Sequence, residues 1–287
     1  MEKPVIRISV RNLVEFILRN GDLESGGTAG DKEAMLKGSR LHRKIQKQMG
    51  SHYQAEVSLK KDTEYEDLIL RVEGRADGIF TQNEKICIDE IKGVYKNLEL
   101  LAEPVLVHRA QALCYAWIYL DDHGLEEIDV QMTYAHLDTE MIKRFRETMT
   151  REELESWYQR LLDSYHKWLS YQMKWREERN RSMEKLEFPF IYRKGQKEMV
   201  AGIYHAISRK EQIFIQAPTG VGKTMSAVFP AVRSIGEGKA ETLFYLTART
   251  ITRTVAQDAF EILRKNGLLF KTVTITAKEK LCFCEKP

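Results

Sequence analysis

Acidic and basic side chains at short spacing mark the first third of the chain as a place where phosphate chemistry could occur. Asp77 lies in the segment Gly-Arg-Ala-Asp-Gly, and Glu90 and Lys92 lie in the segment Asp-Glu-Ile-Lys. Carboxylate oxygens suit a hard divalent cation such as Mg²⁺ or Mn²⁺, and a lysine ammonium can orient a water or offset charge on a phosphate. These residue types therefore predict metal-assisted hydrolysis of a phosphodiester.

The second chemical pattern is a glycine-rich segment, Ala217 to Thr224, which reads Ala-Pro-Thr-Gly-Val-Gly-Lys-Thr. Gly220 and Gly222 let successive backbone N–H groups face phosphate oxygens. Lys223 would reach the β- and γ-phosphates of ATP, and the Thr224 hydroxyl would bind Mg²⁺. Ala217 stands where the strict phosphate-loop pattern has its first glycine. The predicted nucleotide-binding residues of this segment are Thr219, Gly220, Val221, Gly222, Lys223 and Thr224.

Two neighbouring strands must position the carboxylates. Residues 71–80 and 85–91 alternate between apolar and polar side chains, and an Asn-Glu pair at 83–84 supplies the turn between them. On such a hairpin the two carboxylates can lie side by side. The lysine, two residues after Glu90, points to the same face because side chains alternate along a strand.

The glycine-rich segment needs a strand before it and a helix after it. The apolar run at 212–216 predicts a buried parallel strand, and a helix is predicted from Lys223 to about Gly236. Residues 242–246 and 273–276 predict further buried strands. The second half of the chain is therefore expected to be an α/β lobe with a parallel sheet.

A long charged helix is predicted over residues 150–183, because leucine and aromatic residues recur there at helical spacing. Thr150 and Glu153 form a capping box at its start. We expect one domain over residues 1–187, including this helix, and a second over residues 188–287. Shorter elements are predicted at 10–18 (helix), 20–32 (loop) and 127–137 (strand).

The composition limits the class of protein. The 287 residues carry 45 basic and 42 acidic side chains, a formal net charge of +3, so affinity for a nucleic acid must come from local grooves. Four scattered cysteines argue against a disulfide framework and favour a reducing cytoplasm. No apolar run is long enough to span a membrane and no signal peptide is evident, so we expect a cytoplasmic monomer without membrane contact.

The first 187 residues resemble the RecB-like branch of the PD-(D/E)XK nucleases. The motifs that carry the resemblance, in the family's order, are Gly38-x-x-x-His42, Asp77, Glu90-x-Lys92 and Gln111-x-x-x-Tyr115. The resemblance implies a restriction-endonuclease-like mixed sheet with flanking helices. It also implies that Asp77 and Glu90 are metal ligands, with His42 and the Ile91 carbonyl as further ligands.

The same resemblance gives roles to three more residues. Lys92 would be the catalytic lysine, and Gln111 and Tyr115 would position DNA. The last two are one helical turn apart and therefore lie on one helix face. A structural α/β domain with chance acids is the alternative interpretation. A nuclease fold that has lost its activity is disfavoured, because no catalytic position is substituted.

Residues 188–287 are similar to the first motor lobe of DinG-type helicases, which are relatives of the xeroderma-pigmentosum group D helicase. The Ala-x-x-Gly-x-Gly-Lys-Thr loop resembles the variant used by superfamily 1 and 2 helicases. The segment that ends at Gln196 resembles the adenine-reading segment of superfamily 2, in which Gln196 would bond the base. The Thr247-Ala-Arg249-Thr250 segment resembles one that lines the single-stranded DNA track. The resemblance implies an incomplete RecA-like phosphate-loop lobe.

Two cysteines, Cys282 and Cys284, lie where the helicase family has an iron–sulfur insertion. The resemblance makes Cys282 the first ligand of a 4Fe–4S cluster, which normally takes four thiolates. Cys87 and Cys114 are far back in the chain and are expected to be small buried hydrophobic residues. No Asp-Glu-Ala-His-like segment follows the phosphate loop. We therefore expect an N-terminal fragment of a longer parent, which alone would hold the cluster.

The sequence thus predicts a metal-dependent DNA nuclease fused to an ATP-driven helicase that moves along single-stranded DNA. Two alternatives stay open at this point: a nuclease fold that only grips DNA, and a motor directed at RNA. A hydrolysis assay separates the first from a nuclease, and competition between matched DNA and RNA strands tests the second.

Overall fold

The protein has a mixed α/β fold, seen in a computed structural model that describes residues 3–19, 32–247 and 251–276. Its contacts divide it into two compact units, Met1–Ser170 and Tyr171–Pro287. The division falls inside a long helix and therefore before residue 187, the end of the first domain expected from the sequence. The identity of the two domains stays a prediction.

A six-stranded mixed sheet forms the centre of the first unit. The strands are β1 (Val5–Ser9), β2 (Tyr53–Glu64), β3 (Ile69–Gln82), β4 (Lys85–Val94), β5 (Glu127–His136) and β6 (Ile142–Thr150). Their order is β1-β3-β4-β5-β6, and β2 also pairs with β3. The β1–β3 and β4–β5 pairs are parallel, and the other pairs are antiparallel. The strand predicted at 127–137 is confirmed as β5.

Helices follow or connect these strands. They are α1 (Val10–Leu18), α2 (Lys32–Gln48), α3 (Leu106–His123), α4 (Arg151–Glu184), α5 (Gln196–Arg209), α6 (Lys223–Gly236) and α7 (Ile251–Lys265). The helices predicted at 10–18, at 150–183 and from Lys223 are confirmed. The capping box of α4 also forms, since the Thr150 N–H donates to Glu153 Oε2 at 2.9 Å and the Glu153 N–H donates to Thr150 Oγ1 at 3.4 Å. Among the described residues, no helix is both long and apolar enough to cross a membrane.

Strands β3 and β4 form the hairpin that the alternation predicted. Their ladder pairs Gly78 with Asp89 and continues to the turn. Asn83 and Glu84 have φ angles of 52° and 65°. Two successive residues with positive φ make a hairpin turn whose twist matches that of the strands. The turn therefore fixes which side chains of the two strands face each other.

The core of the first unit lies between β4, β5 and α3. Ile88, Ile91 and Tyr134 are at most 1% exposed. Helix α3 is buried from Ala110 to Ile118, so it is a central helix and not a surface one. It also makes the crossover that the parallel β4–β5 pair requires. This burial holds the strands and α3 in fixed positions around any site built between them.

The second unit contains α5, α6 and α7, and its described residues contain no strand. The strands predicted at 212–216, 242–246 and 273–276 are therefore wrong for this structure, as is the parallel sheet they were to form. Phe214 is 94% exposed and Leu246 is 89% exposed. An apolar run becomes a strand only when a neighbouring segment exchanges backbone hydrogen bonds with it. Within the described residues these three segments have no such neighbour.

The Tyr53 ring packs directly against Gly78 in the sheet of the first unit. A Cβ atom at Gly78 would lie 1.8 Å from the Tyr53 hydroxyl oxygen and from its Cζ. The Tyr53 ring cannot move away easily, because it stacks on Phe80 at a centroid distance of 5.8 Å and its hydroxyl donates to Asp89 Oδ2 at 3.1 Å. Position 78 therefore has to be glycine.

The variant Gly78→Ala should lower the free energy of unfolding by about 1 to 3 kcal/mol, because the added methyl overpacks the sheet. Gly38→Ala is the matched control, since a Cβ there meets nothing within 4 Å. Position 38 lies inside α2, so alanine should stabilise the protein by up to about 1 kcal/mol. Urea unfolding of both variants tests this, and equal stability of the two would contradict the packing argument.

Candidate functional sites

Asp77, Glu90 and Lys92 meet at the β3–β4 pair. The ladder pairs the residue after Asp77 with the residue before Glu90, so the two carboxylates lie beside each other. Asp77 Oδ2 accepts a hydrogen bond from the Ile91 N–H at 2.7 Å. Lys92 Nζ donates to Glu90 Oε1 at 2.6 Å. Three of the predicted site residues are thus neighbours on two strands.

Glu90 is deeply buried for an acidic residue. Only 4% of it is exposed, and Oε2 has no hydrogen-bond partner among the described residues. Burial raises the pKa of Glu90 to about 7, against the effect of Lys92 and with a smaller contribution from Asp77. Burial also raises the pKa of Asp77, although His42 and the Ile91 N–H favour its charged form. Both carboxyls therefore resist ionisation more than exposed carboxyls do.

Helix α2 packs against the same strands. His42 Nδ1 lies 3.7 Å from Asp77 Oδ1. One turn later, Gln46 Nε2 donates to the Asp77 carbonyl at 2.9 Å and to Glu56 Oε1 at 3.1 Å. The structure therefore brings His42 to the carboxylates. It also adds Gln46, which was not predicted and which fixes α2 to β3.

Helix α3 turns Gln111 and Tyr115 inward, where they are 5% and 6% exposed. The Tyr115 hydroxyl lies against Gly74, since a Cβ at that position would be 2.7 Å from it. Burial raises the pKa of Tyr115, and the charge of Glu90 adds to the shift. The phenol therefore lies in the electrostatic field of the carboxylate pair.

His108 is a residue of this neighbourhood that sequence reasoning missed. It precedes Gln111 by three residues and Tyr115 by seven, so the three lie on one helix face. Its Nδ1 lies 3.2 Å from the Tyr134 hydroxyl. Burial and the Lys92 ammonium lower the pKa of His108 to about 4, which leaves it neutral near pH 7. The helical spacing from Gln111 is the signal that could have found it.

Asp89 lies on the other face of β4 and is fully buried. Its carboxylate accepts hydrogen bonds from the Tyr53 hydroxyl at 3.1 Å, from Thr133 Oγ1 at 2.6 Å and from Gln131 Nε2 at 3.2 Å. Burial still raises the pKa of Asp89, although these donors oppose the shift. The donors come from β2 and β5, and this distance in sequence is why the cluster was not predicted.

The described residues, 3–19, 32–247 and 251–276, contain no group of three His, Cys, Asp or Glu side chains arranged to hold a metal ion. The donor types at the β3–β4 pair nevertheless suit a hard divalent cation, because they are two carboxylates beside an imidazole. Glu90 Oε2 is a buried oxygen there that has no hydrogen-bond partner among the described residues. Lys92 occupies the other oxygen of the same carboxylate.

The phosphate-loop segment has the backbone shape expected from its glycines. Gly220 and Gly222 have φ angles of 86° and 76°, which few other residues adopt. Helix α6 begins at Lys223, and its ammonium donates to the carbonyls of Ala217 at 2.9 Å and Pro218 at 3.2 Å. The lysine therefore lies against the carbonyls of its own loop.

Arg193 and Gln196 hold this loop from the start of α5. Arg193 Nη1 donates to the Gly220 carbonyl. Gln196 Nε2 donates to the Val221 carbonyl at 3.1 Å, and its Oε1 accepts the Arg193 N–H at 3.0 Å. Both ends of the Gln196 amide thus bind protein backbone. Its role in reading adenine stays a prediction.

The remaining predicted motor residues are only partly described. Thr219 is exposed, and Thr224 Oγ1 accepts the Tyr245 hydroxyl at 3.5 Å. Thr247 is exposed. The other predicted residues lie outside the described ranges: Arg249, Thr250, Cys282 and Cys284. Their proposed contacts with a nucleic acid or a cluster are therefore predictions.

Cys87 and Cys114 are both buried free thiols, as expected from the sequence. Burial raises the pKa of Cys87 to about 12, and it raises that of Cys114 as well. A thiolate, not a thiol, binds metal. The burial of both thiols agrees with the expectation that they are small buried hydrophobic residues.

Comparison with known proteins identifies the second half of the chain in part. Residues 193–281 match the DEAD/DEAH box helicase family. The chain is also 43% identical, over 49 residues, to the probable ATP-dependent helicase MJ0942 of Methanocaldococcus jannaschii. That similarity covers 17% of this chain and 7% of the relative's length. A region that includes the phosphate loop is therefore of helicase type.

One solved structure, described as the crystal structure of SSO0001, is similar to 56% of this chain and to 77% of its own chain. The sequence identity is 20% and the TM-score is 0.38. A likeness this distant supports no functional inference.

The variant Glu90→Gln should change how stability depends on pH. A carboxyl whose folded pKa is raised from 4.5 to about 7 stabilises the fold below pH 4.5, and that contribution is lost as the pH rises through 7. From about pH 5 to about pH 8, the unmodified protein should lose roughly 2 to 3 kcal/mol relative to the variant. Asp77 and Asp89 are present in both proteins, so their titration changes the stability of both by a similar amount and largely cancels in the difference.

Urea unfolding of the first unit at several pH values measures this difference. Glu140→Gln is the control, because that side chain is 53% exposed and should leave the pH dependence unchanged. Parallel stability curves for Glu90→Gln and the unmodified protein would show that Glu90 ionises normally.

Proposed function

We propose that this chain combines a segment of an ATP-dependent helicase motor with a metal-dependent deoxyribonuclease. The family match over residues 193–281 and the phosphate-loop geometry support the motor. The main support for the nuclease is that Asp77, Glu90 and Lys92 lie together on adjacent strands. In addition, Glu90 Oε2 is buried and has no hydrogen-bond partner among the described residues.

The folds that we propose are a PD-(D/E)XK nuclease domain and an incomplete RecA-like lobe. The first is supported by a mixed sheet whose central hairpin carries both carboxylates and whose crossover helix carries Gln111 and Tyr115. The second is supported by a helix that begins at the lysine of a glycine-rich loop. Strongly shifted pKa values beside one another are typical of functional sites, which also favours a catalytic role for the first unit.

In the proposed nuclease, Asp77 and Glu90 would hold Mg²⁺ or Mn²⁺, with His42 and the Ile91 carbonyl as further ligands. Such an ion would lower the pKa of a bound water and offset charge on the phosphate. The Lys92 Nζ, 2.6 Å from Glu90 Oε1, would offset further charge that develops on the phosphate. The buried sheet would exclude bulk water from these groups.

The inward face of α3 would position the DNA strand. Gln111 offers both a donor and an acceptor, and Tyr115 offers a phenol beside the carboxylates. His108, neutral and bonded to Tyr134, would keep a second positive charge away from Lys92. We propose that this strand is single-stranded DNA.

In the proposed motor, Lys223 and Thr224 would bind the triphosphate and its Mg²⁺, and Gln196 would bond the adenine. Thr247, Arg249 and Thr250 would contact single-stranded DNA. Cys282 would be one ligand of a 4Fe–4S cluster in a longer protein. The whole protein would be a monomer in the cytoplasm.

The nuclease proposal predicts Mg²⁺- or Mn²⁺-dependent cleavage of labelled DNA by this chain. Glu90→Ala and Lys92→Ala should each reduce the cleavage rate by at least about 100-fold, because each removes a group that acts at the reacting phosphate. Lys85→Ala is the matched control, because Lys85 lies on the same strand but pairs with Glu127 at the surface.

Cleavage that survives Glu90→Ala would refute the proposed site. Binding without cleavage by any metal would instead favour a domain that only grips DNA, and preference for a matched RNA strand would favour an RNA-directed protein.

The motor proposal predicts that Lys223→Ala weakens ATP binding in the presence of Mg²⁺ by roughly tenfold or more, because a charge-assisted contact to phosphate is worth about 1.5 to 3 kcal/mol. A fluorescent ATP analogue measures the affinity. Lys265→Ala, at an exposed position of α7, should bind as the unmodified protein does. If Lys223→Ala binds ATP as tightly as the unmodified protein does, the phosphate loop is not the ATP-binding site.

A further inference from the structure

We propose that the outer face of helix α2 is a docking surface for the phosphate backbone of a nucleic-acid strand. This outer face consists of Arg40, Arg43, Lys44 and Lys47, which are all exposed. The inference rests on the proposed nuclease function, because it assigns the place where the substrate strand would lie beside the carboxylates.

The spacing of these residues gives one continuous basic strip. Positions 40, 44 and 47 are neighbours along a helix surface, and position 43 lies at the edge of the same strip. Seven residues of helix span about 10 Å at 1.5 Å per residue. A strip of this length can contact more than one phosphate of a nucleic-acid strand.

In the part of the chain that the structure describes, most cations of the strip have no ion-pair partner. Lys44 forms an ion pair with Glu140. The Arg43 guanidinium bonds only the carbonyl and the hydroxyl of Ser39, at 3.2 and 3.3 Å. Within the ranges that the structure describes, Arg40 and Lys47 have no ion-pair partner. Among the described residues, three of the four cations therefore have no carboxylate partner and can bind an anionic ligand.

Many cations elsewhere in the first unit are paired with acids. Examples are Lys61 with Asp121, Arg71 with Asp62, Lys85 with Glu127, Arg109 with Glu147 and Arg146 with Asp129. Exposed basic residues without a paired acid also occur on other elements, but Arg7, Lys60 and Lys167 lie one each on β1, β2 and α4. Only a group of cations on one face can follow several phosphates of one strand.

The strip lies next to the candidate catalytic groups. His42 precedes Arg43 and is 3.7 Å from Asp77, and Gln46 precedes Lys47 and bonds the Asp77 carbonyl. A helix with its side chains is about 10 to 12 Å wide, so the strip is within about one helix width of Asp77. A strand bound along it could present a neighbouring phosphate to the carboxylates. This placement favours a nucleic acid over an acidic peptide as the ligand.

The test is binding of a fluorescent single-stranded DNA to the full chain in EDTA, measured over a series of salt concentrations. The variant Arg40→Gln/Arg43→Gln/Lys47→Gln should bind more weakly. Its slope of log affinity against log salt should be smaller by about 2, because each lost phosphate contact on a single strand removes about 0.7. The charge-preserving variant Arg40→Lys/Arg43→Lys/Lys47→Arg should restore binding and slope.

The control variant Arg7→Gln/Lys60→Gln/Lys167→Gln removes the same net charge from three separate elements and should keep the original slope. The proposal would be overturned if the α2 variant kept the slope of the unmodified protein, or if the control variant lost as much slope as the α2 variant. It would also be overturned if polyglutamate bound the unmodified protein as tightly as the DNA does.

Because EDTA removes the metal, this test does not depend on cleavage. If the α2 variant has a smaller salt slope but the unmodified protein cleaves no DNA, the docking surface is supported and the nuclease is rejected. If the α2 variant keeps its slope and cleavage depends on Lys92, the nuclease is supported and the docking surface is rejected.

Discussion

The Tyr53 hydroxyl can reach Asp89 only because Gly78 has no side chain, and this contact joins β2, β3 and β4. Thr133 bonds the same carboxylate and adds β5. A slip of one residue between strands would turn every side chain of the slipped strand to the other face. The two candidate metal ligands are the sequence neighbours of Gly78 and Asp89. They meet on one side of the sheet only while this buried contact keeps the strands in register.

Burial raises the pKa of Asp77, Asp89 and Glu90 on this hairpin, yet the hydrogen-bond partners of Asp89 and Glu90 differ. Asp89 has three neutral donors around its carboxylate. Glu90 has only the Lys92 ammonium and leaves one oxygen without a partner. A buried carboxylate whose oxygens all accept hydrogen bonds stabilises the fold. A buried carboxylate with an oxygen that lacks a hydrogen-bond partner is expected to bind a ligand. In the proposed nuclease, one face of β4 would therefore stabilise the fold and the other would carry the metal-binding groups.

Sequence patterns predicted those structural elements that depend on residues close together in the chain. The β3–β4 pair and its turn follow from alternation and from residues that accept positive φ, and both are properties of a short segment. The Tyr53–Asp89 bond joins residues 36 apart, and no local pattern encodes it. The strand expected at 212–216 was wrong for a related reason. Its apolar run shows that the segment can be buried in a sheet, but not that a neighbouring strand is present.

The connectivity of the first unit also bears on when its parts form. The predicted metal ligands and Lys92 come from α2, β3 and β4, which lie in the consecutive run α2-β2-β3-β4. In that run β2, β3 and β4 follow one another as antiparallel neighbours. Contacts between residues close in sequence are made early in folding, and chains fold from the N-terminus during synthesis. On the ribosome, the carboxylate cluster would therefore be assembled while the glycine-rich loop has yet to be translated. The two proposed sites would therefore form at different times during synthesis.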